Sequence, residues 1–306
     1  MEKKVLIVYY SQTGQMMDIL KSITKPLTEA GHVKLYYEEL KPIPAFPFPW
    51  SASQFFQAFP ESIKGIPCAL EPLSTSPDEH FDLVIVAYQP WYLSPSIPFH
   101  AFFQLEAVKR LLANKPIITV IGCRNMWTMA QEAIKKYIKA SNGKLIGNIV
   151  LRDKAPNLLS VVSIVRWLLK NKKERYLKII PPAGVSASDI ANAERFGKTI
   201  LSALDENSLN NLQDKLVAEG AVDILPSLVM IEKNGNRIFN ILASWVLKKG
   251  GYGDPARNRR LVFFKYYLFF VIYVVSPFGS LVFAITSPFR RGAIKKKIAY
   301  HQSINS

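Results

Sequence analysis

The chain has 306 residues, 49% of them apolar, and a formal charge of +16. Its two cysteines, Cys68 and Cys123, exclude a disulfide framework and give no metal-ligand spacing, so no metal site is expected. The charge is unevenly placed. From Trp245 onward eleven Lys and Arg face one acid, Asp254, which leaves +6 for the first 244 residues. A tail of that kind calls for an anionic partner, either nucleic acid or a membrane surface.

Val5 to Tyr10 is an unbroken β-rich run, the pattern of a strand buried on both faces of a parallel sheet. The basic pair before it leads into only a short apolar run with no cleavage-site pattern. The start therefore reads as a first strand and not a signal peptide, in a reducing cytoplasmic setting. After Ser11–Gln15 come Met16, Met17, Ile19, Leu20 and Ile23 at helical spacing. Further strands are expected over 32–40, 83–88, 117–121 and 145–151, with helices over 107–112, 127–140 and 191–204. Such alternation predicts a doubly wound parallel α/β sheet.

Two insertions interrupt the rhythm. Lys41 to His80 is rich in Pro and Phe and predicts a lid or pocket wall. Arg152 to Pro182 carries the cationic stretch SVVSIVRWLLKNKK. That stretch reads either as a surface helix packed by Val162, Val165, Trp167 and Leu168 or as a membrane-contacting one. Beyond the closing helix, 208–217 predicts a short helix, 227–232 a strand and Asn234-Gly235 a turn. The expected division is residues 1–204, an α/β extension over 205–260, and an apolar segment with a basic tail over 261–306.

Leu261 to Phe289 is long enough to cross a hydrocarbon core, and Tyr266 to Phe289 carries no formal charge. Pro277 and Gly279 interrupt it, and basic residues flank both ends. Positive flanks prefer the cytoplasmic side. The expectation is a re-entrant hairpin bent at Ser276–Gly279, or a transmembrane-like segment, at the inner face of the cytoplasmic membrane. A pair of buried helices is the alternative. No nucleic-acid recognition motif accompanies the charge.

Ligands of open α/β sheets bind where loops leave the carboxyl ends of strands. Three loops meet that condition: Ser11, Gln12, Thr13, Gly14 and Gln15 leading into Met16; Gln89, Pro90, Trp91 and Tyr92; and Gly122, Cys123, Arg124 and Asn125. The first offers hydroxyls and successive N–H groups at a helix start, an anion nest, although Ser11 and Thr13 could instead cap the helix. Cys123 reads more simply as a small buried residue than as a nucleophile.

The run YYSQTGQ resembles the phosphate loop of flavodoxins, and AYQPWYLSPSIP resembles the ring-binding loop of flavodoxin-type reductases. The likeness covers roughly the first two hundred residues and departs at Met16, where that family favours Thr or Ser. It implies a flavodoxin-like five-stranded sheet of order 2-1-3-4-5, with FMN held by the three loops. SQTGQ, FPFPW, AYQPWYLSPSIP and GCRNMW together resemble bacterial dialkylresorcinol condensing enzymes, to about Asn240. That resemblance implies an FMN-dependent oxidoreductase that aromatises an alkylated cyclohexanedione-type precursor beside a ketosynthase partner, or the condensation the family name states. Trp91 and Tyr92 would then border the substrate ring, Arg124 and Asn125 would hydrogen-bond its oxygens, and the Pro/Phe-rich insertion would cover its alkyl chains. The alternatives are an NAD(P)H-dependent quinone or FMN reductase, and an electron carrier or non-catalytic partner of the ketosynthase. A homodimer is a further expectation.

Overall fold

The computed structural model of the chain describes residues 2–304. Five apolar runs pair in parallel as β1 (Lys3–Tyr9), β2 (Val33–Glu39), β3 (Leu83–Tyr88), β4 (Pro116–Cys123) and β5 (Lys144–Arg152). The spatial order is β2-β1-β3-β4-β5. Chain order reverses between β1 and β3, so the loops after those strands diverge and open a crevice. The central strands are continuous hydrophobic runs because helices cover both sheet faces.

Helix α1 (Gln15–Glu29) follows β1 and buries Met16, Ile19, Leu20, Ile23 and Leu27, the 3.6-residue stripe visible in the sequence. The first insertion forms α2 (Ala52–Lys64), started by a capping box in which Ser51 and Gln54 bond reciprocally. Helices α3 (Ile97–Gln104) and α4 (Glu106–Leu112) lead to β4, and α5 (Thr128–Ala140) joins β4 to β5. The second insertion forms α6 (Asn157–Lys170), and α7 (Ala187–Asn192) and α8 (Glu194–Asp205) close the sheet against α1.

After α9 (Leu212–Ala218) the chain departs from expectation. The strand expected over 227–232 and the turn at Asn234-Gly235 are both parts of one helix, α10 (Pro226–Leu247). Pro226 sits at its first turn, where a missing N–H costs nothing. Leu228, Glu232, Phe239, Ala243 and Val246 are buried at helical spacing, and Gly235 lies where the helix approaches Leu93. Residues 205–260 therefore contain helices and no strand.

The hairpin expected at Ser276–Gly279 is likewise replaced. Residues Pro255–Gln302 are helical throughout. They comprise α11 (Asn258–Phe270), a π-helical stretch (Val271–Val275), α12 (Ser276–Thr286), a tight turn of 3-10 helix and α13 (Arg291–Gln302). They form a rod as far as Thr286, beyond which the chain folds back so that α13 returns to α10 and α5, with His301 against Trp127 and Lys297 beside Lys233. The π stretch immediately precedes Pro277, whose ring and missing N–H disturb the normal ladder. The reversal lies earlier, at the glycine-rich 248–254, so α10 and the rod pack antiparallel: Trp245 meets Phe263, and Phe239 meets Phe264. Residues 305 and 306 of the expected tail lie outside the described residues.

The rod is pinned to α2. Arg257, fully buried, gives Glu61 a bidentate pair (Nη1 to Oε1 2.6 Å, Nη2 to Oε2 2.9 Å) and also donates to the Gln57 carbonyl. Phe264 stacks on Phe59 beside it. The outer face of the rod and of the turn after it is apolar and exposed: Phe263, Tyr266, Phe270, Val274, Phe278, Leu281, Ile285 and Phe289 recur every three or four residues.

Candidate functional site at the carboxyl edge of the sheet

Strand order places the loops after β1, β3 and β4 around one cleft of about 160 Å3. Ser11, Gln12, Thr13, Gln15 and Met16 come to it from the first loop, Gln89, Pro90 and Trp91 from the second, and Gly122, Cys123 and Arg124 from the third. All three expected loops thus converge. Tyr92 and Asn125 lie instead on a neighbouring cleft, across a wall shared by Pro90, Cys123 and Arg124.

The first loop is built for backbone donation. Gly14, with φ of 82°, is the N-cap of α1, a conformation a side chain would strain. No side chain caps that helix. Capping therefore does not account for Ser11 and Thr13. The Ser11 hydroxyl is buried and has no hydrogen-bond partner among the described residues. A buried orphan hydroxyl beside free helix N–H groups is an anion-binding arrangement.

Other residues of this loop are committed elsewhere. Gln12 donates to the Pro47 carbonyl at 3.0 Å. The Gln15 amide is spent on Val185, giving to its carbonyl and accepting from its N–H, so it clamps the loop before α7. Gly184 within that loop has φ of 81°, and a Cβ there would stand 2.6 Å from Gln15 Oε1 and 2.7 Å from the Trp167 ring. Only glycine permits this closure. Met16 is a core residue, its methyl packed under Gly122.

In the second loop Gln89 Oε1 is buried and unpartnered. Trp91 lines the cleft and also meets Tyr10, Phe46 and Trp50 edge-on at 5.1–6.0 Å. Tyr92 and Leu93 turn the chain with φ of 50° and 66°, rare for bulky side chains. The half-buried Tyr92 ring packs among Phe55, Phe59 and Phe264, and its hydroxyl donates to the Phe55 carbonyl at 2.6 Å. That bond spends its proton on the fold.

In the third loop, burial pushes the Cys123 thiol far above its ordinary pKa, which removes it as a nucleophile at neutral pH. Arg124 is half-buried; desolvation lowers its pKa, while neighbouring Asp153 opposes that shift. Its Nη1 donates to Asn157 O, Asn157 Oδ1 and Ser160 Oγ, tying the loop to the start of α6. Asn125 Nδ2 donates to the same Asn157 Oδ1 at 2.6 Å. Arg124 and Asn125 are thus anchored to α6, which leaves them fewer groups for a substrate than the sequence suggests.

A lid was expected of the first insertion, but the share of the roof that α6 supplies was not. Ile164, Trp167 and Leu168 of α6 cover the cleft, and the Trp50 N–H donates to the Leu168 carbonyl at 2.8 Å. The two insertions therefore meet over the site. His100 bridges Ser94 Oγ (3.1 Å) and the Tyr137 hydroxyl (2.9 Å) beneath the second loop. Burial drives its pKa down to about 4, so it is neutral and structural.

A parallel sheet of this order with a ligand cleft at its switch point has one name. The fold is flavodoxin-like. Solved structures similar to it include a flavoprotein from Lactobacillus acidophilus in complex with FMN, 17% identical over 50% of this chain and 95% of that one, with a TM-score of 0.37. Others are a putative flavoprotein from Bacteroides uniformis (16% identical, 56% and 100% covered, TM-score 0.38) and a flavodoxin from the domain Archaea (12%, 66% and 99%, TM-score 0.35). No protein-family model and no curated protein matches the chain. Strand order and register carry the fold, independently of these distant likenesses.

Proposed function

We propose that the chain is an FMN-dependent oxidoreductase working on an alkylated substrate at the inner face of a membrane. The observation that carries this is the uncapped N-terminus of α1 with the orphaned Ser11 hydroxyl, set at the switch point of the sheet. A flavin phosphate needs such donors, and Thr13 and the backbone N–H groups after Ser11 would complete its shell. The ring would meet Trp91 and Trp167, and Gln89 Oε1 is a buried acceptor ready for a ring N–H. These residues fit the cofactor.

An enzyme is favoured over an electron carrier because a carrier needs an exposed ring edge. Here α6 and the first insertion close over the cleft through Trp50 and Leu168. A covered, largely apolar site excludes water and orients substrate. When bound, FMN supplies a two-electron acceptor, the chemistry that turns a cyclohexanedione-type ring into a resorcinol. We assign that aromatisation as the reaction, with the ring supplied by a ketosynthase-type partner. Tyr92 has a fold-holding role in it and Cys123 none as a nucleophile.

Membrane attachment is supported by two apolar surfaces that meet. The exposed stripe of the rod is flanked by Arg259 and Arg260 at one end and Arg290 and Arg291 at the other. Across a cleft from Phe269 and Tyr273 stand Val162, Val165 and Leu169 of α6, with Leu177 and Ile179 exposed beyond. Because the inner face of the rod is packed on α10 and α2, it would lie in the interface plane rather than cross it.

The test is anaerobic addition of an alkylated cyclohexane-1,3-dione to FMN-loaded protein. The reading expects bleaching of the flavin's visible band with appearance of a resorcinol. Resorcinol formation by flavin-free protein refutes the redox role.

A further inference from the structure

The cleft on the far side of the Pro90–Cys123–Arg124 wall encloses about 200 Å3 between the second and third loops and the C-terminal helices. Leu93, Ile231, Phe239, Leu268 and Ile272 give it apolar sides. The π-helical stretch of the rod borders it through Val271 and Ile272, while Tyr273, Val274 and Val275 of the same stretch are exposed on the outer apolar stripe. One helix thickness therefore separates the cleft from the surface that faces lipid. Such π-helical insertions concentrate at functional sites.

The cleft holds one orphaned polar group. Asn125 is only 8% exposed. Its orientation is fixed by a relay. Arg124 can only donate, so Asn157 must present Oδ1 to it. Asn125 must then present Nδ2 to that same oxygen. Asn125 Oδ1 is left buried, with no partner among the described residues, on a loop that lines the cleft. A buried acceptor without a donor is costly unless a ligand supplies one.

We propose that this cleft binds a single-chain amphiphile carrying a hydroxyl, of the alkylphenol or enol class. The molecule enters from the bilayer between α10 and the π-helical stretch. Its chain lies on the apolar walls, and its hydroxyl donates to Asn125 Oδ1. The wall it reaches is also the wall of the proposed flavin cleft, so the assignment of this ligand as substrate rests on the FMN reading. The binding site itself does not.

The test uses full-length, flavin-free protein in detergent, with radiolabelled para-nonylphenol and its methyl ether as probes. The phenol should bind saturably and about tenfold more tightly than the ether, which cannot donate. Asn125→Leu should abolish that preference. Ile272→Trp, which fills the cleft, should abolish saturable binding of both. Equal affinity for phenol and ether in the unaltered protein overturns the proposal, as does undiminished binding in Ile272→Trp. FMN titration of the same samples separates the two readings. Phenol preference without FMN binding leaves this cleft standing and removes the flavin, and FMN binding without phenol preference does the reverse.

Discussion

Arg257→Met tests how the C-terminal helices are held. The guanidinium is fully buried and makes three bonds to α2, two to the Glu61 carboxylate and one to the Gln57 carbonyl. Methionine fills similar volume but strands the buried carboxylate of Glu61 without its partner. Breaking one side of a buried pair costs about 3–5 kcal/mol, and the lost carbonyl bond adds about 1 kcal/mol. Against a typical stability of about 5–15 kcal/mol this is enough to undock a helical hairpin without unfolding the sheet. Hydrogen exchange read by mass spectrometry should show peptides from 226–302 losing protection while β1, β3 and β4 keep theirs. The double variant Glu61→Leu/Arg257→Met should recover most of the loss, because paired apolar residues avoid the stranded charge. The reasoning fails if the single variant costs less than about 1 kcal/mol, or if the double variant is as unstable as the single.

Three further outcomes follow from the geometry. Tyr92→Phe should cost about 1 kcal/mol of stability, the worth of one hydrogen bond, and leave turnover unchanged; a large fall in kcat would return the hydroxyl to the chemistry. Glu232 caps the start of α5 through Thr128 and Met129, and burial pushes its carboxyl up to about 7 against those bonds. Because the folded pKa is raised above the unfolded one, this group's contribution is fullest below the ordinary carboxyl range and is lost as pH rises toward 7, by about 3 kcal/mol at about 1.4 kcal/mol per pH unit. Infrared titration should show a protonated carboxyl disappearing near pH 7, and its persistence in Glu232→Gln would refute the assignment. Phe270→Glu, Phe278→Glu and Ile285→Glu together should release the protein from anionic vesicles without changing its circular dichroism, since all three face outward; unchanged vesicle binding would sink the membrane reading.

The sheet was legible because its strands are continuous apolar runs, and the three site loops because each follows such a run. What the sequence hid was non-local. SLVMIE over 227–232 is too short and too apolar to distinguish strand from helix by period, and Asn234-Gly235 has turn chemistry. Burial of Leu228, Glu232, Phe239 and Ala243 on one face decided for helix. Pro277 suggested a bend, but the π-helical stretch before it lets the rod continue. The commitments of Arg124 to Asn157, Tyr92 to Phe55 and Gln15 to Val185 join residues 33 to 170 positions apart. No local spacing encodes them. The roof over the site was half visible: the cationic stretch gave Trp167 and Leu168 as packing residues, but not what they pack over.

The central claim is that the first loop holds a flavin phosphate. Fluorescence titration of FMN into the full-length protein, compared with Ser11→Ala/Thr13→Ala, tests it most directly. The unaltered protein should quench the flavin saturably, with one FMN per chain. The double variant, having lost two hydroxyl donors to a charged group, should bind about a hundredfold more weakly at an unchanged melting temperature. Absence of saturable binding in the unaltered protein, or equal affinity in the two, would contradict the account.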